Sequence, residues 1–324
     1  VENHIGRFAL YVAFFPQLVA GPIERATHLL DQFKRENYVD IERIVEGGKL
    51  IIWGLFQKVV IADRLSIYVD RVYENPELYS GSSLLLATYF FAFQIYCDFC
   101  GYSNIAIGSA RILGYDLMQN FNLPYLSRSI SEFWRRWHMS LTGWFRTYLY
   151  LPLGGNQVRY RRWIFNVAVV FLVSGLWHGA AWTFLIWGVL HAIYYFIESG
   201  FGRLKGIVPS VFGPKQNALN IVRILITFHA VLLAWVFFRA GSLADAVLII
   251  EKILTQPFSP LYMGASQLTT WLSICLIFAL IAVEFLQSRG YVSLYFSHGR
   301  FPLWVRWPGY IGMILGIAML GVSS

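Results

Sequence analysis

The sequence predicts an all-α, polytopic integral membrane protein. Three observations carry that expectation: a deficit of charge, apolar runs that recur from end to end, and one uncharged run too long for a single crossing. Of 324 residues, 57% are hydrophobic and only 14% are charged, against about 25% charged in an average soluble chain. So little polar surface cannot cover a water-soluble particle of this size, and so much apolar surface excludes a disordered chain. Lipid as the surrounding solvent makes the same composition natural, because helices satisfy their own backbone there.

Taken in order, apolar runs of the length needed to cross roughly 30 Å of hydrocarbon occur around 47–62, 82–110, 163–197, 224–238 and 266–283. A shorter run lies at 310–324 and a weaker candidate at 8–22. Polar stretches at 23–46, 63–80 and 111–162 separate them, with no internal repeat and no soluble-looking half, so residues 1–324 read as a single transmembrane domain. The chain opens on Val1 inside an apolar stretch, which predicts a fragment lacking its N-terminal helices, and its C-terminus can be cut as well.

Residues 163–197 contain no Asp, Glu, Lys or Arg. As one straight helix this run would measure about 52 Å at 1.5 Å per residue, far beyond the apolar thickness of a bilayer. It must break, and Gly175, Trp177, His178 and Gly179 offer the place, dividing it into about 15 and 19 residues. The glycines supply low-cost irregular positions, and His178 falls at the turn of a helical hairpin or at mid-depth where two short helices meet. Both flanks of the run are basic. Stretch 111–162 has eight arginines against Asp116 and Glu132, and 198–223 has Arg203, Lys205, Lys215 and Arg223 against Glu198. Cytoplasmic loops are enriched in Lys and Arg, which assigns that side to the cytoplasm and explains the net charge of +8 without nucleic acid.

An ionisable side chain at membrane depth is costly and is by default a functional-site hypothesis. His178 in VSGLWHGAAW and His138 in SEFWRRWHMS are the two candidates. A neutral imidazole can take a proton from an alcohol near neutrality, and a second can steady charge developing on an acyl carbon. The competing readings are a hydrogen-bonded packing residue for His178, and for His138 one more interfacial residue of an amphipathic helix, with Trp134 and Trp137 at headgroup level. Arg135, Arg136 and Arg146 offer guanidinium forks for a phosphate or carboxylate of substrate or carrier, or else anchor the interface. Asp98, alone in its apolar run, can be satisfied by Tyr96, Tyr102, Ser103 and Asn104 or can serve the site. Glu284 reads as a helix end, His191 as packing or helix-end polar, and LPLGGN at 151–156 as a turn. His4, His28, His229 and His298 carry no motif. Cys97 and Cys100 form C-x-x-C inside an apolar run with no second pair, so they read as packing cysteines, and no spacing calls for a metal or a bound cofactor.

Five strings occur in order: FFPQLVAGPIER at 14–25, YCDFCGYSNIAIG at 96–108, NFNLPYLSRSISEFWRRWHMSLTGWFRTYLYLPLGGN at 120–156, SGLWHGAAWTFLIWGVLH at 174–191 and AWVFFRA at 234–240. Together they resemble the membrane-bound O-acyltransferase family, in particular the branch of the alginate O-acetyltransferase membrane subunit. The membrane protein of teichoic acid D-alanylation is a close relative of that branch. The resemblance implies a multi-helix membrane fold with re-entrant or broken helices around a polar cavity. It implies that the histidine of the WHG motif, here His178, is essential for acyl transfer, and that the histidine of WRRWH, here His138, belongs to the same site; Trp177, in the WHG motif, is a candidate for binding substrate or donor. Cys100 stands where the family usually has Ser. It further implies a cytoplasmic acyl thioester donor, acetyl-CoA or an acyl carrier, an acceptor hydroxyl on a cell-surface or exported polysaccharide, a place in the cytoplasmic membrane among its lipids, and an extracytoplasmic acyltransferase as partner. D-alanyl transfer to teichoic acid is the same-class alternative. A transporter built on the broken helix, or an export-complex scaffold, is the alternative of a different class.

Overall fold

The computed structural model describes residues 2, 4–18, 21–38, 40–205, 216–293 and 302–322; Lys215 and His298 lie outside them. Among the described residues all regular structure is helical. Helix α1 spans Ile5–Ala13, α2 Ala26–Gln32 and α3 Ile41–Leu55, which widens into a π-helical segment at Phe56–Ala62 and continues as α4, Asp63–Glu74. After α5, Gly81–Ile112, come the short α6, Ile130–Trp134, and α7, Met139–Phe145, the latter running into a second π segment at Arg146–Tyr150. The remaining helices are α8 Tyr160–His178, α9 Trp182–Lys205, α10 Gln216–Arg239, α11 Leu243–Thr255, α12 Gln267–Ser288 and α13 Leu303–Leu320.

The expected runs at 82–110, 224–238 and 266–283 form α5, α10 and α12, three helices long and apolar enough to cross a membrane. The run at 47–62 does not stop where its apolar character stops. The helical path continues through the π segment into α4, and Lys58 within it pairs with Asp63 at 2.7 Å. Among the described residues of the 8–22 run, the α-helix ends at Ala13 and a 3₁₀ turn follows at Phe15–Gln17, each too short to span.

The chain packs as two compact units. The first comprises 1–67, 93–120 and 263–324. Here α3 and α5 run antiparallel through two glycine pairs. A Cβ on Gly47 would lie 2.5 Å from the Gly108 carbonyl oxygen, and one on Gly54 would lie 2.5 Å from that of Gly101. Small residues permit this backbone approach, which in lipid is the principal source of helix association. Phe14, Leu29, Leu50, Ile107, Ala110 and Leu117 form the core beside them. Several polar groups in this unit pair with one another: Gln57 accepts from Asn104 at 2.7 Å, and Arg111 bridges Glu46 and Asp116. Glu284 differs from its reading as a helix end. The helix continues to Ser288, and its carboxylate is buried and accepts from the Tyr96 hydroxyl.

The second unit comprises 68–92 and 121–262. Its centre is the hairpin of α8 and α9. A Cβ on Gly175 would meet the Phe184 carbonyl oxygen at 2.5 Å, and one on Gly188 would meet that of Phe171 at 2.5 Å. The break in the long uncharged run falls at 179–181, at the C-terminal end of the expected stretch, directly after His178. Gly175 is helical, and it serves close approach, not an irregular backbone. Asn166 donates to the carbonyls of Leu153 and Gly155 at 3.0 and 3.1 Å, fixing the 151–156 turn, where Gly154 and Gly155 have φ of 100° and 55°.

Candidate active site

The WRRWH segment is shaped by its own sequence. Ser129 caps α6 by accepting from the Glu132 N–H at 3.2 Å, while the Glu132 carboxylate accepts from the Arg128 N–H at 2.8 Å, a reciprocal cap. The helix ends at Trp134, and the chain turns through Arg135 and Arg136. His138 then adopts the left-handed conformation, with φ 43° and ψ 54°, before α7 begins. A non-glycine residue in that region is strained and persists only where its surroundings hold it, which happens most often at functional sites. What holds it is an aromatic packing. Trp137 is buried, with its ring 5.0 Å from Phe121, 5.4 Å from Phe133 and 5.1 Å from Trp235. Trp137 is therefore a core residue, and Trp134 is half-buried against the hairpin, 5.6 Å from Phe171 and 5.8 Å from Trp187.

His178 is the last residue of α8. Its ring lies 5.2 Å from Trp187 and 5.0 Å from Phe238, and 4.8 Å from the neighbouring Trp177. His138, buried, lies 6.2 Å from the same Trp177 ring. Thus two histidines 40 positions apart in sequence share contact with one indole, in a setting of tryptophan and phenylalanine. Burial, and after it the proximity of His178, holds the His138 imidazole well below its ordinary pKa, so it is neutral near pH 7. His178 is half-buried and Trp177 is exposed, so this pair opens outward on one side. An imidazole reachable from outside and backed by a second, buried and neutral imidazole is an arrangement that can accept a proton from a bound hydroxyl.

The other candidates fall in different settings. Arg136 is committed to Glu132 at 2.7 Å, whereas Arg135 and Arg146 are exposed. Asp98 belongs to the first unit, where it is half-exposed and pairs with Lys58 at 2.6 Å. His191 is fully buried on α9, and its Nδ1 accepts from the Trp134 indole N–H at 3.3 Å. Its place was hidden in the sequence because helix phase from Trp182, which decides which side chains it meets, depends on where the hairpin turns. Among the described residues no three His, Cys, Asp or Glu side chains gather as a metal cage.

The fold and this pair define a multi-pass helical membrane protein with a histidine site set in aromatic side chains. The chain belongs to the membrane-bound O-acyltransferase family, whose model matches residues 4–240. It is 39% identical over 251 residues to a peptidoglycan O-acetyltransferase of Helicobacter pylori, covering 77% of this chain and 46% of that protein. It is 40% identical over 239 residues to a probable alginate O-acetylase of Pseudomonas aeruginosa, covering 74% and 44% respectively. A teichoic acid D-alanyltransferase of Bacillus subtilis is 31% identical over 250 residues, covering 72% of this chain and 60% of that protein. The chain spans about half the length of these acetyltransferase relatives.

Proposed function

We propose that the protein is a membrane-embedded O-acyltransferase of the cytoplasmic membrane. In this reading it moves acetyl from a cytoplasmic thioester, acetyl-CoA or an acyl carrier, toward hydroxyls of a cell-surface or exported polysaccharide, directly or through an extracytoplasmic partner. The observation that carries the reading is that His138 and His178 both lie against the Trp177 ring. His178 takes the proton of the acceptor hydroxyl. The oxygen forms a bond to the thioester carbonyl carbon, the C–S bond breaks, and the proton passes from the imidazolium to the departing thiolate. His138 orients the acceptor or stabilises charge at that step, Trp177 walls the site, and Arg135 and Arg146 meet phosphate groups of the donor. Both basic flanks of the hairpin support placing donor entry on the cytoplasmic side.

The similarity to the alginate and peptidoglycan acetylating relatives favours acetyl over D-alanine. The test is transfer of radiolabel from acetyl-CoA to polysaccharide in inverted membrane vesicles carrying the full-length protein. His178→Ala and His138→Ala are each expected to lower the rate by at least about 100-fold. Transfer of D-alanine in place of acetyl would assign the acyl group otherwise, and undiminished acetyl transfer by His178→Ala would overturn the mechanism.

A further inference from the structure

Helix α9 does more in this site than carry one arm of the hairpin. On one face it presents Trp187, His191 and Glu198. Trp187 packs edge-on against His178 at 5.2 Å. Glu198 accepts from the Ser131 N–H at 3.0 Å and from its hydroxyl, and His191 accepts from Trp134 at 3.3 Å. Ser131 and Trp134 both lie in α6, the helix that leads into the left-handed turn at His138. One face of α9 therefore contacts His178 itself and the element that delivers His138.

His191 is an unusual residue for pure packing. It is 0% exposed, sandwiched nearly parallel to Phe133 and Phe171 at 6.3 and 6.1 Å. Its Nδ1 accepts a hydrogen bond, so the neutral ring carries its proton on Nε2, and Nε2 has no partner among the described residues. An apolar side chain would fill this space without leaving a buried donor unpaired. A polar group kept at such a position is explained by the one bond it does make.

We propose that His191 is a positioning residue: by accepting from the Trp134 indole it fixes the tilt of α6 and so the placement of His138 against Trp177 and His178. The inference rests on the acyl-transfer reading of that pair. A displacement of reacting groups by about 1 Å costs on the order of 100-fold in rate, so loss of this bond is expected in kcat while KM for the donor is unchanged.

The test measures initial rates of acetyl transfer at varied acetyl-CoA in inverted vesicles of the full-length protein, at matched membrane abundance. His191→Leu and Trp134→Phe remove the bond from opposite sides. Each is expected to lower kcat by about 100-fold with KM unchanged, and the double variant is expected to lose no more than either alone. His191→Asn, whose side-chain oxygen can accept from the same indole, is expected to recover most of the rate, a rescue that loss of packing alone would not give. If His191→Leu fails to reach the membrane, Trp134→Phe decides the matter with its ring packing retained. Wild-type kcat in Trp134→Phe, or His191→Asn as slow as His191→Leu, overturns the proposal. Undiminished transfer by His178→Ala would instead bring down the underlying reading, whereas an inactive His178→Ala beside a fully active Trp134→Phe removes only the positioning role.

Discussion

The hairpin that carries His178 is held by two glycine contacts, at Gly175 and at Gly188. A methyl group at Gly188 would sit 2.5 Å from the Phe171 carbonyl oxygen, and the helices would have to part until that distance reached at least 3.0 Å, or 3.4 Å for ordinary contact. Backbone cannot swing aside as a side-chain tip can, so Gly188→Ala overpacks the interface at about 1–3 kcal/mol. Gly200, twelve residues on in the same helix, has open space where its Cβ would go. Both substitutions gain the same helix propensity, about 1 kcal/mol over glycine, so the difference between the two variants isolates the steric cost. At about 2–4 °C per kcal/mol for a chain of this size, the Gly188→Ala midpoint should fall roughly 2–12 °C below that of Gly200→Ala in a detergent thermal shift assay. Phe171 also packs against Trp134 and His191, so acetyl transfer should fall in Gly188→Ala and stay at wild-type level in Gly200→Ala. Equal midpoints and equal transfer rates in the two variants would refute the claim that glycine sets the hairpin spacing.

Three further outcomes follow from particular side chains. His138 has a depressed pKa, so it stays neutral as pH falls through the ordinary histidine value of about 6.5. The unfolded chain takes up that proton first, so acid weakens the fold below about pH 6.5, and a transfer rate that depends on neutral His138 should decline only further down. A pH–rate profile with its acid limb at 6.5 or above would contradict that environment. In the first unit, Lys58→Met removes the cation that pairs with buried Asp63 and should destabilise by about 1–3 kcal/mol, whereas Asp98→Asn, at a half-exposed carboxylate, should cost less than about 1 kcal/mol by denaturant titration. Tyr96→Phe removes the donor to buried Glu284 and should cost about 1–3 kcal/mol, with Glu284→Gln milder because it keeps an acceptor; the reverse order of thermal midpoints would argue against this bond.

Composition and uninterrupted apolar length were enough to read an all-helical membrane chain and to place α5, α10 and α12, because crossing hydrocarbon demands both. The need for a break between 163 and 197 was equally legible, since no helix of that length fits a bilayer. Which of the two expected glycines breaks the helix was not legible, because glycine has two uses that look alike along the sequence. At Gly179 it ends a helix, while at Gly175 it lets a neighbouring backbone approach from inside one. Glu284 was misread for a related reason: an uncharged run ends there, but the helix does not, and helix phase turns its carboxylate inward. Neither π segment, the left-handed backbone of His138, nor the Trp134–His191 bond leaves a trace in periodicity, because each is imposed by packing between distant segments. The pairing of His138 with His178 was suggested by proton-transfer chemistry and by motif resemblance, and the structure supplies Trp177 as the group they share.

Acetyl ester content of surface polysaccharide, measured in cells carrying the full-length gene as wild type or His178→Ala at equal membrane abundance, tests the central claim most directly. The account predicts loss of the protein-dependent acetyl esters in the variant. Acetylation unchanged from wild type would contradict acyl transfer at His178.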